Sequence, residues 1–219
     1  MVFLIPWYNN YQQCKNASNN FIKAIVTNDI ESAENLSRGK VSLRLATAED
    51  LPKAKVINVN AKTLYVHGNL AKTNVVCELE TSSGQDVTCY DIYLFKEDTW
   101  KVYKVNEATT EKSSTIFNNN TSSVSEAENV IKKFINCVSQ GTDAKSYLAG
   151  PAKTAYEQTS SGISGIVNID ESSILTIPLY SDDKTVTYSA KYNVDGKPVR
   201  VLVDLYKLEA WKIISITQL

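Results

Sequence analysis

"LFKEDTWKVYKV" runs from Leu94 to Val105, and "LYKLEAWKIISI" runs from Leu205 to Ile216. Each reads Leu, an aromatic residue and Lys, then a short turn, then Trp-Lys followed by alternating apolar positions. Alternation of this kind marks a half-buried strand, and the polar break before the tryptophan marks a tight turn. The repeat predicts that one strand-turn-strand unit closes two copies of a single domain. Trp100 and Trp211 then hold matching places.

The segments upstream of each copy follow one grammar. "NASNNFIKAIVTND" carries Phe21, Ile22, Ile25 and Val26 on one helical face. "SSVSEAENVIKKFINCVSQG" does the same with Val130, Ile131, Phe134, Ile135 and Val138. There, Ser125 and Glu128 read as a capping-box start and Gly141 as a stop. Second helices are predicted at "IESAENLS" and "TDAKSYLAG". Weaker third ones are predicted at "TAEDLPKA" and at "GPAKTAYEQT", where Pro151 suits a first turn. β-Branched and aromatic runs follow: "KVINVNAKTLYVHGNL", "TNVVCELE", "VTCYDIYLFK" and "WKVYKVNE" in the first half, then "GIVNIDESSILTIPLYS", "KTVTYSAKYNV", "PVRVLVDLYK" and "WKIISITQ" in the second. Asp195-Gly196 is a hairpin signal, and Gly84 is expected to hold the place equivalent to Gly196. The polar stretch around "EATTEKSSTIFNNNTSSVS" has linker composition. The expected organisation is a first domain at 1–107, a linker at 108–123 and a second domain at 124–219.

Helices followed by four antiparallel strands, twice, resembles the NTF2-like family. The expected fold class is α+β, two tandem NTF2-like (cystatin-like cone) domains, each with N-terminal helices packed on a bent antiparallel sheet. A tandem pair of this kind also resembles the extracellular part of Gram-positive conjugation proteins of the VirB8-like or TcpC-like group. That resemblance implies an interaction or scaffold role outside the cytoplasm.

Composition narrows the classes of function. The 219 residues are 43% apolar and 21% charged, which suits packed domains rather than disorder. Basic and acidic residues number 23 and 24, so the global electrostatic surplus that drives sequence-independent nucleic-acid binding is missing. Arginine occurs only at Arg38, Arg44 and Arg200. No apolar run reaches the ~20 residues of a membrane-spanning helix. The opening "MVFLIPWYNN" reads either as the start of a strand or buried helix, or as the remnant (residues 1–10) of a membrane or signal segment.

The cysteines, Cys14, Cys77, Cys89 and Cys137, form no metal or redox spacing. With a turn centred on Ser83-Gly84, Cys77 and Cys89 fall opposite each other. They are either a feasible cross-strand disulfide or two separate buried thiols. His67 is the single histidine. It is either a surface residue or a general base paired with Asp91. The acidic pairs Glu126/Glu128, Asp170/Glu171 and Asp182/Asp183 have helix-start or turn contexts. "SSGISG" (160–165) lacks the Lys of a phosphate loop. Tyr90, Tyr188, Tyr192 and Tyr206 alternate along strands, as packing residues or as candidates for an interface. No catalytic, metal or cofactor residues are assigned. The expected role is a non-catalytic extracellular or cell-surface interaction module, with protein partners or self-association, no nucleic acid, and membrane attachment through a missing N-terminal segment. A small-molecule binder using a hollow under the helices, and an isomerase- or dehydratase-type enzyme, are the alternatives.

Overall fold

The computed structural model describes residues 4–47, 54–82, 84–108, 121–160 and 168–219. The chain divides into two compact units, Met1–Thr110 and Glu111–Leu219. The first contains α1 (Leu4–Val26), α2 (Ile30–Asn35) and α3 (Gly39–Ala46), then β1 (Lys55–His67), β2 (Leu70–Thr81), β3 (Gly84–Lys96) and β4 (Trp100–Glu107). The second contains α4 (Thr121–Ser139), a single 3-10 turn (Lys145–Tyr147) and α5 (Gly150–Ser160), then β5 (Ile169–Ser181), β6 (Thr185–Val194), β7 (Lys197–Lys207) and β8 (Trp211–Gln218). Each sheet is an antiparallel meander in chain order, β1-β2-β3-β4 and β5-β6-β7-β8, with no strand shared.

In the first unit, Cys14, Ser18, Phe21, Ile22 and Ile25 recur at helical spacing and turn one face of α1 onto the sheet. Beneath them lie Ala61, Ala71, Val75, Ile92, Leu94 and Val102. Burying each of the larger apolar side chains contributes ~1.5–3 kcal/mol. Asn28, at φ +60°, ends the helical run while Asp29 N–H donates to the Ala24 carbonyl at 2.8 Å. The Asp29 carboxylate then accepts from Ser32 N–H at 3.1 Å and starts α2. In the second unit Ala127, Ile131 and Ile135 of α4 cover Val186, Tyr188, Ala190, Val203 and Leu205. Gly141, at φ +64°, closes α4 in the way Asn28 closes α1.

The repeated stretch has a physical cause in each of its letters. Leu94 and Leu205 are fully buried core residues. Lys96 pairs directly with Trp100, and Lys207 with Trp211, across the turn. Their ammonium groups sit over the indoles at 5.7 and 5.3 Å. Each lysine also reaches the first helix of its unit: Lys96 donates to Asn10 at 2.9 Å, and Lys207 pairs with Glu126 at 2.8 Å. Lys101 and Lys212 donate to backbone carbonyls of the short helices, those of Asn35 and Ser146. Val102 and Ile213 bridge Ser37 and Leu148 in parallel. The last strand of each sheet carries one extra residue, Tyr103 between the partners of Tyr93 and Leu94, and Ile214 between those of Asp204 and Leu205. These shared irregularities establish that the two units are copies of one design.

Several expectations are corrected. In the hairpin of β2 and β3, Thr81 pairs with Gly84. This register pairs Cys77 with Thr88 and Cys89 with Val76. The two cysteines therefore face opposite sides of the sheet, and both are buried thiols not joined in a disulfide. Gly84 is consequently not equivalent to Gly196. The former is the strand residue after its turn, whereas Gly196, at φ +76°, is the second turn residue between Val194 and Lys197. The third helix of the first unit is "GKVSLRLA", not "TAEDLPKA", of which residues 48–53 lie outside the described residues. In "TDAKSYLAG" only one 3-10 turn forms. α4 begins at Thr121, so Ser125 lies inside it and is not its cap, and the helix takes residues 121–123 from the expected linker. Linker residues 109–120 and most of "SSGISG" lie outside the described residues. Leu4 to Asn10 form the first turns of α1, and no described helix is long and apolar enough to cross a membrane.

Candidate functional site

The two alternatives to an interaction role each named residues, and the structure places them. His67 is exposed at the end of β1, opposite Leu70. Asp91 lies opposite Asn74, four residues further along β2. At ~3.3 Å per residue the two are roughly 13 Å apart along the sheet. Asp91 is instead committed to Lys72 (2.8 Å) and to the amide of Asn74 (3.1 Å). The general acid-base pair is not assembled.

The acidic pairs also have structural work. Glu126 binds Lys207, and Glu128 binds Lys132 at 2.7 Å and Thr176 at 2.8 Å. The Lys207 ammonium holds Glu126 below the usual carboxylate range, and Lys132 together with the Thr176 hydroxyl does so for Glu128. Asp170 accepts from the N–H and hydroxyl of Ser172, and Asp182 from the N–H groups of Lys184 and Thr185. Among the described residues no cluster of His, Cys, Asp and Glu could hold a metal ion.

The tyrosines divide. Tyr188 is fully buried and donates to the Val124 carbonyl of α4 at 2.5 Å, and burial pushes its phenol up to about 12. Tyr192 packs half-buried against the second core and Tyr206 is buried. Tyr90 opens into a hollow of about 380 Å³ in the first unit. Phe21, Ile22 and Ile25 of α1, Val41 and Leu45 of α3, and Val105 of β4 line it, with Lys40 and Arg44 on its rim. Burial raises the Tyr90 pKa, so this phenol stays protonated and able to donate. Tyr103 and Lys104 complete the wall, but the Lys104 ammonium lies 5.0 Å over the Tyr93 ring.

The sequence reading missed Lys40 and Arg44. The signal was present: Val41 and Leu45 are one turn apart, as are Lys40 and Arg44, so "GKVSLRLA" has an apolar and a cationic row side by side.

The outer face of the second sheet is the other notable surface. Leu175 and Ile177 on the edge strand β5 are 55% and 50% exposed and point away from the helices, because their partners Lys191 and Ser189 do. Leu179, in the bulge after Pro178, is 46% exposed. Lys191 faces Arg200 directly across β6 and β7. Both are exposed, and neither forms an ion pair among the described residues.

No family model matches the sequence, and no curated protein matches it significantly. Among solved structures, an NTF2-like protein described as involved in plasmid conjugation aligns over 95% of this chain and 96% of its own, at 8% identity and a TM-score of 0.38. A cystatin-like protein from Ruminococcus gnavus aligns over 92% of this chain and 75% of its own, at 11% identity and a TM-score of 0.29. At that distance neither carries an argument about activity. The topology itself gives the fold class: the chain is α+β, with two tandem units in the NTF2-like order of helices followed by a four-stranded antiparallel sheet.

Proposed function

We propose that the chain is a non-catalytic interaction module of an extracytoplasmic assembly of the conjugation type, docking through the outer face of its second sheet. The observation that carries the docking face is the row Leu175, Ile177, Leu179 beside the uncompensated pair Lys191 and Arg200. Like charges directly opposite on neighbouring strands destabilise a sheet, and a row of exposed apolar side chains leaves their burial energy unused. A partner protein presenting an apolar ridge flanked by carboxylates would relieve both. Pro178, which lacks an N–H, interrupts β5 as a template for adding a strand, so contact through the sheet face is favoured over edge pairing. The dispersal of His67 and Asp91 supports the non-catalytic part of this reading. Placement outside the cytoplasm, attachment to a membrane and the conjugation setting rest on resemblance alone.

A photo-crosslinking residue at Ile177, introduced in native cells, tests the reading. The expected outcome is a discrete adduct with another protein that disappears with Lys191→Glu and Arg200→Glu. A strict monomer in solution with no charge-dependent adduct in cells refutes the proposal, and an adduct consisting only of two copies of this chain removes the partner.

A further inference from the structure

The hollow of the first unit raises a separate question, because its cationic rim has no structural explanation. Lys40 stands in the first turn of α3, where the helix dipole disfavours positive charge and where no acidic residue is present. Arg44 follows four residues later, and like charges at that spacing repel. Neither takes part in an ion pair among the described residues. The described lining includes no carboxylate.

Below this rim the wall is apolar. Ile25, Val41 and Val105 remain half-buried and open to the hollow, while Phe21, Ile22 and Leu45 form its closed part. Tyr90 supplies one phenolic donor within that wall. A volume of about 380 Å³ falls in the range of small-ligand pockets, ~300–1,000 Å³.

Comparison of the two copies shows that the phenol at this place is particular to the first. The shared bulges set the correspondence between strands: Tyr93 matches Asp204, so Tyr90 matches Val201 and Lys104 matches Ser215. The second unit has thus replaced the phenol by an aliphatic side chain.

We propose that this hollow binds a small amphiphilic monocarboxylate, with its alkyl or aromatic body against Phe21, Ile25, Val41 and Val105 and its carboxylate at Lys40 and Arg44. The planar guanidinium of Arg44 accommodates a carboxylate in the two-bond fork geometry, and Lys40 adds a point charge one turn away. Tyr90 donates to any polar atom that enters the apolar wall. The apolar body supplies most of the affinity and the rim selects the sign of the head group.

Isothermal titration of the full chain with decanoate, decanol and decyltrimethylammonium tests the assignment, with backbone NMR shifts locating the site. Decanoate is expected to bind saturably, to shift Ile25, Val41 and Val105, and to bind about tenfold more tightly than decanol. The cationic amphiphile is expected not to compete. Lys40→Gln combined with Arg44→Gln, both on the exposed rim, should bring decanoate down to the decanol affinity while leaving decanol unchanged. Raising salt should weaken decanoate in the native chain and not in the variant. The proposal is overturned if decanoate fails to saturate, if decanol binds equally well to the native chain, or if the double variant keeps the native preference. Shifts confined to other parts of the chain overturn it as well.

Discussion

Ser18 of α1 and Thr73 of β2 meet inside the first unit, their hydroxyl oxygens 2.7 Å apart and both residues fully buried. This bond holds the long helix to the sheet, and its strength can be worked out before it is measured. Thr73→Val keeps the side-chain shape and removes one hydroxyl, leaving the Ser18 hydroxyl buried, which costs ~1–3 kcal/mol. Ser18 recovers part of that by turning to the carbonyl one helical turn earlier, so ~1.5 kcal/mol is expected. Ser18→Ala leaves Thr73 buried on a strand with no such local acceptor, and the better helix propensity of Ala returns ~0.5 kcal/mol. Its net cost is again ~1.5 kcal/mol. Removing both hydroxyls abolishes the desolvation penalty and loses only the net bond, ~1 kcal/mol, of which the helix propensity of Ala returns ~0.5 kcal/mol. The double variant should therefore be more stable than either single one, a coupling of roughly 2.5 kcal/mol. Urea unfolding followed by tryptophan fluorescence in a Trp211→Phe background reads the first unit, where Trp7 and Trp100 remain. Effects that add to within ~0.5 kcal/mol would refute the reasoning and mean that α1 is held by apolar packing alone.

Three further outcomes follow from the same structure. Cys137 is half-buried while Cys14, Cys77 and Cys89 are buried, and burial pushes Cys14 up to about 12 and Cys77 to about 11. A thiol reagent should label Cys137 first and the other three only in denaturant, and an absence of labelling at Cys77 and Cys89 in denaturant without reductant would reinstate a bridge. The folded state keeps Cys14, Cys77 and the Tyr188 phenol protonated above their ordinary values of 9.0 and 10.0. The unfolded chain then loses these protons first, so stability is fully present below pH ~9 and falls as pH rises toward ~12. An alkaline limb starting lower, or none, contradicts this burial. His67→Ala should change stability by less than ~0.5 kcal/mol. Asp91→Ala should cost ~1–2 kcal/mol by removing the carboxylate shared by Lys72 and Asn74, and equal effects in urea melts would show that these roles are misassigned.

Much of the architecture was legible because it is written in local periodicity. The helical stripe from Phe21 to Val26, the eight strands, and the Trp-Lys echo are all consequences of 3.6- and 2-residue repeats. The duplication was readable because both copies need the same lysine over the same indole. Asp195-Gly196 could be placed as a turn because its backbone requires positive φ, which glycine supplies at little cost.

What the sequence left undecided were choices between nearly equal local options. "TSSG" is compatible with a two- or a three-residue turn, and the pairing of Thr81 with Gly84 goes with burial of Val75, Cys77 and Leu79 in the first core. That register sets Cys77 opposite Thr88, so Cys89 lies on the other face and no bridge forms. The short helix α3 was overlooked because eight residues give a weak periodic signal, whereas contact with β4 stabilises it. The hollow exists only in three dimensions. Phe21, Arg44 and Tyr90 are far apart in sequence, and no local rule states that the helices stop short of filling the space above Tyr90. Periodicity determined which residues turn inward, and tertiary packing alone decided how completely the space between them closes, because a void depends on all of its walls at once.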